Sequence, residues 1–205
     1  DVAQDAAAVF SENVTAPDPL KRVVQSILLS QAFRNTWGLK VKRPFETLCS
    51  ALRASGLDYT IRMDDRFSNE LVYYARITGH PIFRWQTPDG FPDTREEWLS
   101  SSSLIMSWRA LNRFSESKHD GGARVLDVIG ETPEHLRSAN PLADYWIERI
   151  LGRPMSEAGR NEIASFMGSG TNPDLPLVLD GESDASERLR AVIALITMSP
   201  EFLRR

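Results

Sequence analysis

The sequence predicts an all-α fold: an irregular multi-helix bundle with two related helix pairs at its ends and a long aromatic, Pro-rich loop in the middle. Three observations predict it. Apolar residues recur at helical spacing through most of the chain. Proline, Ser/Thr/Asp and glycine punctuate those stretches where helices start and stop. One apolar segment near the start returns near the end, which marks an internal repeat.

Taken in order, Asp18-Pro19 supplies a cap and a first-turn proline for a helix with Leu20, Val23, Val24, Ile27 and Leu28 on one face, which is expected to be buried. A second stripe, Phe45, Leu48, Cys49 and Leu52, opens at Pro44 and closes near Gly56. Cys49 lies on its apolar side and reads as a buried, inert thiol. Asp64 or Asp65 caps a third helix that points Phe67, Leu71, Tyr74 and Ala75 inward and ends at Gly79. The helical period then stops. His80 to Asp93, HPIFRWQTPDGFPD, holds three prolines and a Pro-Asp-Gly turn, with Ile82 to Trp85 as a short extended segment at most.

Thr94-Arg95-Glu96-Glu97 reads as a capping box restarting a helix that carries Trp98, Leu104, Ile105, Trp108 and Leu111, with Ser100 to Ser103 as a place where it can split. The pattern weakens from Ser115 to Asn140, around Gly121, Gly122 and Gly130. Leu142 to Leu151 and Ser156 to Met167 are two further helices, Gly168 to Glu182 is a loop, and a last helix runs from about Ser186 to Met198 and stops at Pro200.

The repeat aligns LKRVVQSILLSQAF (Leu20 to Phe33) on LRAVIALITMSPEF (Leu189 to Phe202) without gaps. Leu20 matches Leu189, Val23 matches Val192, Ile27 matches Ile196, Ser30 matches Ser199 and Phe33 matches Phe202. Each copy ends in Ser-x-x-Phe, the serine able to bond the last free carbonyls of its helix. Each also follows a shorter helix, Asp5 to Phe10 or Glu162 to Met167. The expected organisation is one helical domain over 1–205 with pseudo-repeat units 1–34 and 142–203.

Composition narrows the function classes. The 205 residues are enough for a sizeable core, and no run approaches the roughly 18 apolar residues of a membrane span. A single cysteine excludes an intrachain disulfide and a Cys-based zinc cluster, and leaves the compartment open. The net charge of -4 argues against a generic nucleic-acid binder. Twenty of the 24 basic residues are arginine, most of them scattered among acids; Arg43 and Arg109 are the two that merit testing.

His80, His119 and His135 have no metal-ligand spacing, and nucleotide loops, dinucleotide fingerprints and nucleophile elbows are missing, so neither a metal nor a cofactor is expected. The best candidate site is the loop. Phe83, Trp85, Phe91 and Trp98 offer aromatic platforms, Asp89 and Asp93 lie four residues apart, and His80 stands at the loop's start. That set suits a saccharide or another ring-bearing ligand, and two carboxylates can share acid and base work beside Arg109 or Arg43. The same residues also read as architecture, with a turn at Pro-Asp-Gly, a cap at Asp93 or Thr94 and a roof of aromatics. A second candidate is the basic stretch between Asp18 and Glu46. Lys40, Lys42 and Arg43 precede the helix start at Pro44, where free N–H groups favour an anion.

The combination KVKRPFETLCSALRASG, then GHPIFRWQTPDGFPDTREEWLSSSSLIMSWRALNRF, then AVIALITMSPEF resembles a large bacterial family catalogued as domain of unknown function 1800. The marks include Lys42-Arg43-Pro44-Phe45-Glu46, Pro88-Asp89-Gly90, Arg109, Asn112 and Ser199-Pro200-Glu201-Phe202. The resemblance implies the C-terminal part of a longer, exported bacterial protein lacking an N-terminal helical region. It offers a sulfatase-like protein of a neighbouring family, numbered 1501, as a candidate partner, and brings no catalytic residues. His80 departs from the pattern, since glutamine is common there in relatives.

The function expected is a non-catalytic helical binding or scaffolding module that presents the loop and the basic helix start to a partner. The rival is a hydrolase of a saccharide or ester using Asp89, Asp93 or His80, and a third reading is a fragment that completes a site in the missing region.

Overall fold

The computed structural model describes residues 1–36, 38–61, 70–92, 94–118, 124–181 and 183–205, with Arg124 described by its backbone alone. The contacts divide these into two compact units, residues 1–40 with Arg205, and residues 41–204. Ten α-helices are found among the described residues, with one ladder of two residues per strand, so the fold is all-α.

The first unit holds α1 (Val2–Glu12), α2 (Pro19–Leu29) and the short α3 (Gln31–Arg34). α1 packs on α2, and Val2, Ala6 and Val9 of α1 and Val23 and Ile27 of α2 are half-buried. Asp18 precedes the helix as expected, but its carboxylate accepts from Arg22 Nε at 3.0 Å and makes no cap bond. The expected burial of the α2 face is corrected here: no residue of α1, α2 or α3 is buried, and Leu20, Val24 and Leu28 are exposed. A helix has more than one apolar side in this sequence, and the first unit supplies only α1 to cover it.

The second unit is built around the fully buried Trp146. Its helices are α4 (Pro44–Ser55), α5 (Glu70–Ile77), α6 (Ser101–Ser115), α7 (Ala139–Leu151), which carries Trp146, α8 (Glu157–Met167), α9 (Asp184–Met198) and α10 (Pro200–Leu203). α9 is the central element, touching α6, α7, α8 and α10. Its Leu189, Val192, Ile193 and Ile196 join Leu48, Leu126, Leu142 and Met167 in one continuous core. Strands β1 (Asp58–Tyr59) and β2 (Arg124–Val125) pair antiparallel, with Asp58 opposite Val125.

Local chemistry accounts for the helix ends. Ser156 caps α8, accepting from Gly159 N–H, and Ser183 caps α9, accepting from Ser186 N–H. α4 ends at Gly56, whose φ is 75°, a left-handed conformation that glycine adopts without strain. A side chain there would also collide with the Arg149 guanidinium 2.6 Å from its Cβ position. That guanidinium is a clamp: it donates to the carbonyls of Ala54 (3.1 Å) and Glu131 (2.9 Å), pairs with the Glu131 carboxylate and lies over the Trp146 ring.

Several expectations are revised. Thr94 makes no capping bond, and Arg95–Glu97 is one 3₁₀ turn. The stretch does split at the serine run: Ser100 Oγ accepts from Ser103 N–H at 3.0 Å and α6 begins at Ser101, apart from the 3₁₀ turn. No extended pairing forms at Ile82 to Trp85, where Phe83 sits at φ 60°. The helix ending before Pro200 resumes after it as α10. Cys49 is half-buried, and burial pushes its thiol pKa up, which keeps thiolate scarce. The caps proposed at Asp64 and Asp65, Phe67, and the Gly121-Gly122 break lie outside the described residues.

The two copies of the repeat have the same local structure. Ser30 separates α2 from α3 at φ -65°, ψ 149°, and Ser199 separates α9 from α10 at φ -68°, ψ 153°. In each, the serine N–H donates to the isoleucine three residues back, Ile27 or Ile196, at 3.1 Å. In each, the serine hydroxyl accepts from the phenylalanine three residues on, Phe33 at 3.1 Å or Phe202 at 3.2 Å. The helix before each pair, α1 or α8, has 11 residues.

Candidate functional site

The candidate residues of the loop fall in different places. His80 and Trp98 are buried in one aromatic knot, Asp89 lies on an exposed turn, Arg109 lines a groove elsewhere on α6, and Asp93 is outside the described residues.

The knot is built on the end of α5 and the start of α4. Gly79, at φ 90°, turns the chain so that His80 N–H donates to Ala75 O at 2.8 Å. The His80 ring then lies 4.4 Å from Phe91 and 5.1 Å from Trp98, centroid to centroid, and Trp85 stacks on Phe91 at 4.9 Å. Trp98 satisfies its one donor on Pro92 O at 2.9 Å. His80 Nδ1 faces Phe45 N–H at 3.4 Å, an acceptor's position in the first turn of α4. Burial, first, and the nearby Arg43 charge, second, push its pKa below the ordinary value, with Glu46 opposing. The histidine is therefore a neutral acceptor.

The basic residues ahead of Pro44 are placed with equal economy. Arg43 N–H donates to Glu46 Oε2 at 3.0 Å, so a carboxylate of the helix itself sits at the N-terminus where an anion was expected. The Lys42 ammonium lies 3.5 Å from the centre of the Phe202 ring, and the Arg43 guanidinium is 5.9 Å from that of Trp98. Lys40 belongs to the first unit, where its backbone pairs with Arg205. Asp89 accepts a hydrogen bond from Thr87 Oγ1 within its turn. Phe83 is 99% exposed at the tip of the loop, and Trp85 is partly exposed beside the knot. His135 is exposed, and His119 lies outside the described residues.

An open groove of about 570 Å³ runs along α6. Arg109 and Arg113, one helical turn apart, line it with Asn112, and all three are exposed. Trp108 and Ile105 from α6, Tyr74 from α5 and Met198 from α9 form apolar walls. Neither guanidinium has an ion-pair partner among the described residues, whereas Glu116 at one end accepts from Asn112 Nδ2 at 2.6 Å. Arg109 stands nine residues beyond Ser100, about 13 Å along the helix, so it does not join Trp98 and His80. Cations flanked by flat apolar faces can hold an anion carried on a ring.

Among the described residues no group of three or more His, Cys, Asp or Glu side chains could hold a metal ion, and no helix is long and apolar enough to cross a membrane.

Fold and sites together define an all-α chain whose open chemistry is cationic and aromatic. The chain belongs to the family described as "Protein of unknown function (DUF1800)", whose model matches residues 1–204. No curated protein and no solved structure matches it. Of the groove, the sequence reading singled out Arg109 alone. Arg113 and Trp108 were reachable by noting Trp-Arg-x-x-x-Arg on one helix, but Tyr74 and Met198 arrive from distant segments.

Proposed function

We propose that the chain is a non-catalytic helical binding module and that the α6 groove is its ligand seat, taking a small anion carried on a ring, such as an acidic saccharide. The observation that carries this reading is that Arg109 and Arg113 line one groove together with Trp108 and Tyr74. The loop supports the same reading: Asp89 is engaged in a turn and His80 in the packing of α4, while Phe83 and Trp85 face outward. Export, and a sulfatase-like partner protein that would meet the exposed aromatics, belong to this proposal through the family resemblance.

The test is titration of the protein with galacturonate oligosaccharides, followed by tryptophan fluorescence, the Trp108 signal being the quenching that Trp108→Phe abolishes. Saturable quenching is expected, reduced about tenfold or more in Arg109→Ala/Arg113→Ala, since each charge-assisted bond contributes about 1.5–3 kcal/mol. Saturable binding that ignores both arginines would remove the groove from the proposal. Release of shorter oligosaccharides would replace the binding module by a hydrolase.

A further inference from the structure

The apolar groove on α2 has its occupant described elsewhere in the same chain. Leu20, Val24 and Leu28 run along α2, and with Lys21, Gln25 and Leu29 they line an open, largely apolar groove. In the matching copy these three are Leu189, Ile193 and Thr197, with Arg190 in the place of Lys21. There the groove is filled by α6: Leu111, Phe114 and Ser115 meet Ile193 and Thr197 around a small internal cavity. Arg190 Nη1 lies 2.7 Å from Leu126 O, 3.2 Å from Ser117 O and 3.4 Å from Ser115 O. Ser115 is the last residue of α6. A cation in the first half of α9 thus holds the negative end of the helix lying along it. At the other end of α9, Met198 shares a groove with Ile105 from the first half of α6, so the two helices run antiparallel.

The exposures show what α2 lacks. Leu20 is 69% exposed where Leu189 is 0%, and Val24 is 53% exposed where Ile193 is 2%. The serine breaks agree and α1 and α8 are equally long, although α9 has 15 residues to the 11 of α2; at the matched positions the difference is the covering helix that α9 has.

We propose that the α2 groove is the seat of one amphipathic helix of a partner protein. That helix lies antiparallel along Leu20 to Leu28, as α6 lies along α9, and sets its last carbonyls on the Lys21 ammonium. Its contacting stripe has the chemistry of the inner face of α6, small residues followed by large apolar ones near the C-terminus, as in Ser103, Ser107, Ala110, Leu111 and Phe114. Lys21 makes the seat directional, because a helix laid the other way would put its positive end on a cation.

The probe is a synthetic peptide with the sequence of residues 100–116, labelled at its N-terminus and amidated at its C-terminus, titrated with the full chain by fluorescence anisotropy. Saturable binding is expected. Val24→Asp should weaken it about tenfold or more, because it puts a carboxylate on the apolar stripe, and Lys21→Glu should weaken it by a smaller factor. Both positions are exposed, so the variants should keep the parent's thermal melt. A peptide of the same composition with the stripe scrambled should not bind. Absence of binding, or binding that Val24→Asp leaves unchanged, overturns the proposal. So does sedimentation showing a dimer of the chain that Val24→Asp dissociates, which would make a second copy the occupant.

Discussion

The segments α2–α3 and α9–α10 are one sequence pattern in two settings. Both are apolar helices that break at a serine and resume for one turn ending in phenylalanine, and their backbone angles at the break agree to within a few degrees. Yet Phe202 is 2% exposed and Phe33 is 49% exposed. The pattern fixes the helix and the break, which depend on neighbours in sequence. Burial depends on what the rest of the molecule brings to each face, and α9 receives α6, α7 and α8 where α2 receives α1. A helix can therefore be read with certainty as amphipathic while its partner stays unwritten in its own residues.

The sharpest way to break this comparison is to truncate matched leucines. Leu189→Ala empties a fully enclosed position and should cost about 2–5 kcal/mol of the second unit's stability. Leu20→Ala removes the same atoms from an exposed position and should change stability by about 0.5 kcal/mol or less. Urea denaturation of the full chain, followed by circular dichroism, reads both. Equal costs would mean that the α2 face is covered in solution and that the contrast drawn here is wrong.

A smaller effect tests the part that should be alike. Ser30→Ala and Ser199→Ala each delete the hydroxyl that accepts from the phenylalanine N–H, and each should cost about 1 kcal/mol locally. Amide hydrogen exchange at Phe33 and Phe202 is the appropriate readout, because the cap protects those N–H groups directly. The expected result is a similar factor of faster exchange at both sites, whatever their burial. A large effect at Ser199 alone would show that the strength of the cap depends on burial, and no effect at either site would show that the break is held without the serine.

The fold class was legible because helix periodicity and end signals are local. Pro44, Gly56 and Ser156 each mark an end that local geometry explains. The failures have physical causes as well. α6 buries Ser103, Ser107 and Ala110 against its neighbours, so its large residues Ile105 and Trp108, expected inside, are left to line the groove. Small residues carry little hydrophobic signal but permit close approach of helices, so a count of apolar side chains points to the wrong face. The candidate site reads as one loop because Phe83, Trp85, Phe91 and Trp98 lie close together in sequence. Space divides them: His80 and Trp98 turn into the knot while Phe83 turns out, and Arg109 is carried away along α6. The groove needs α5, α6 and α9 together, and nothing in any one segment announces the other two.

The gentlest perturbation is acid, and it should distinguish the two units. His80 lies in the second unit and is buried as a neutral acceptor facing Phe45 N–H, and its pKa is lowered from 6.5, by burial before the Arg43 charge. The unfolded chain then binds a proton that the folded chain resists. Stability is complete above the unfolded value of 6.5 and declines as pH falls from there toward the lowered folded value, below which the loss levels off. His80→Gln keeps an acceptor without the titration, so it should flatten this part of the profile, on top of a pH-independent loss from the missing ring contacts with Phe91 and Trp98. The measurement is the urea midpoint against pH between neutrality and mild acid for the parent and the variant. A profile of the same slope in both would assign the acid sensitivity to other groups and return His80 to a purely steric place in the knot. The exchange of amides in α1 and α2, which carry no histidine, should show no such pH-dependent loss of protection once corrected for intrinsic rates.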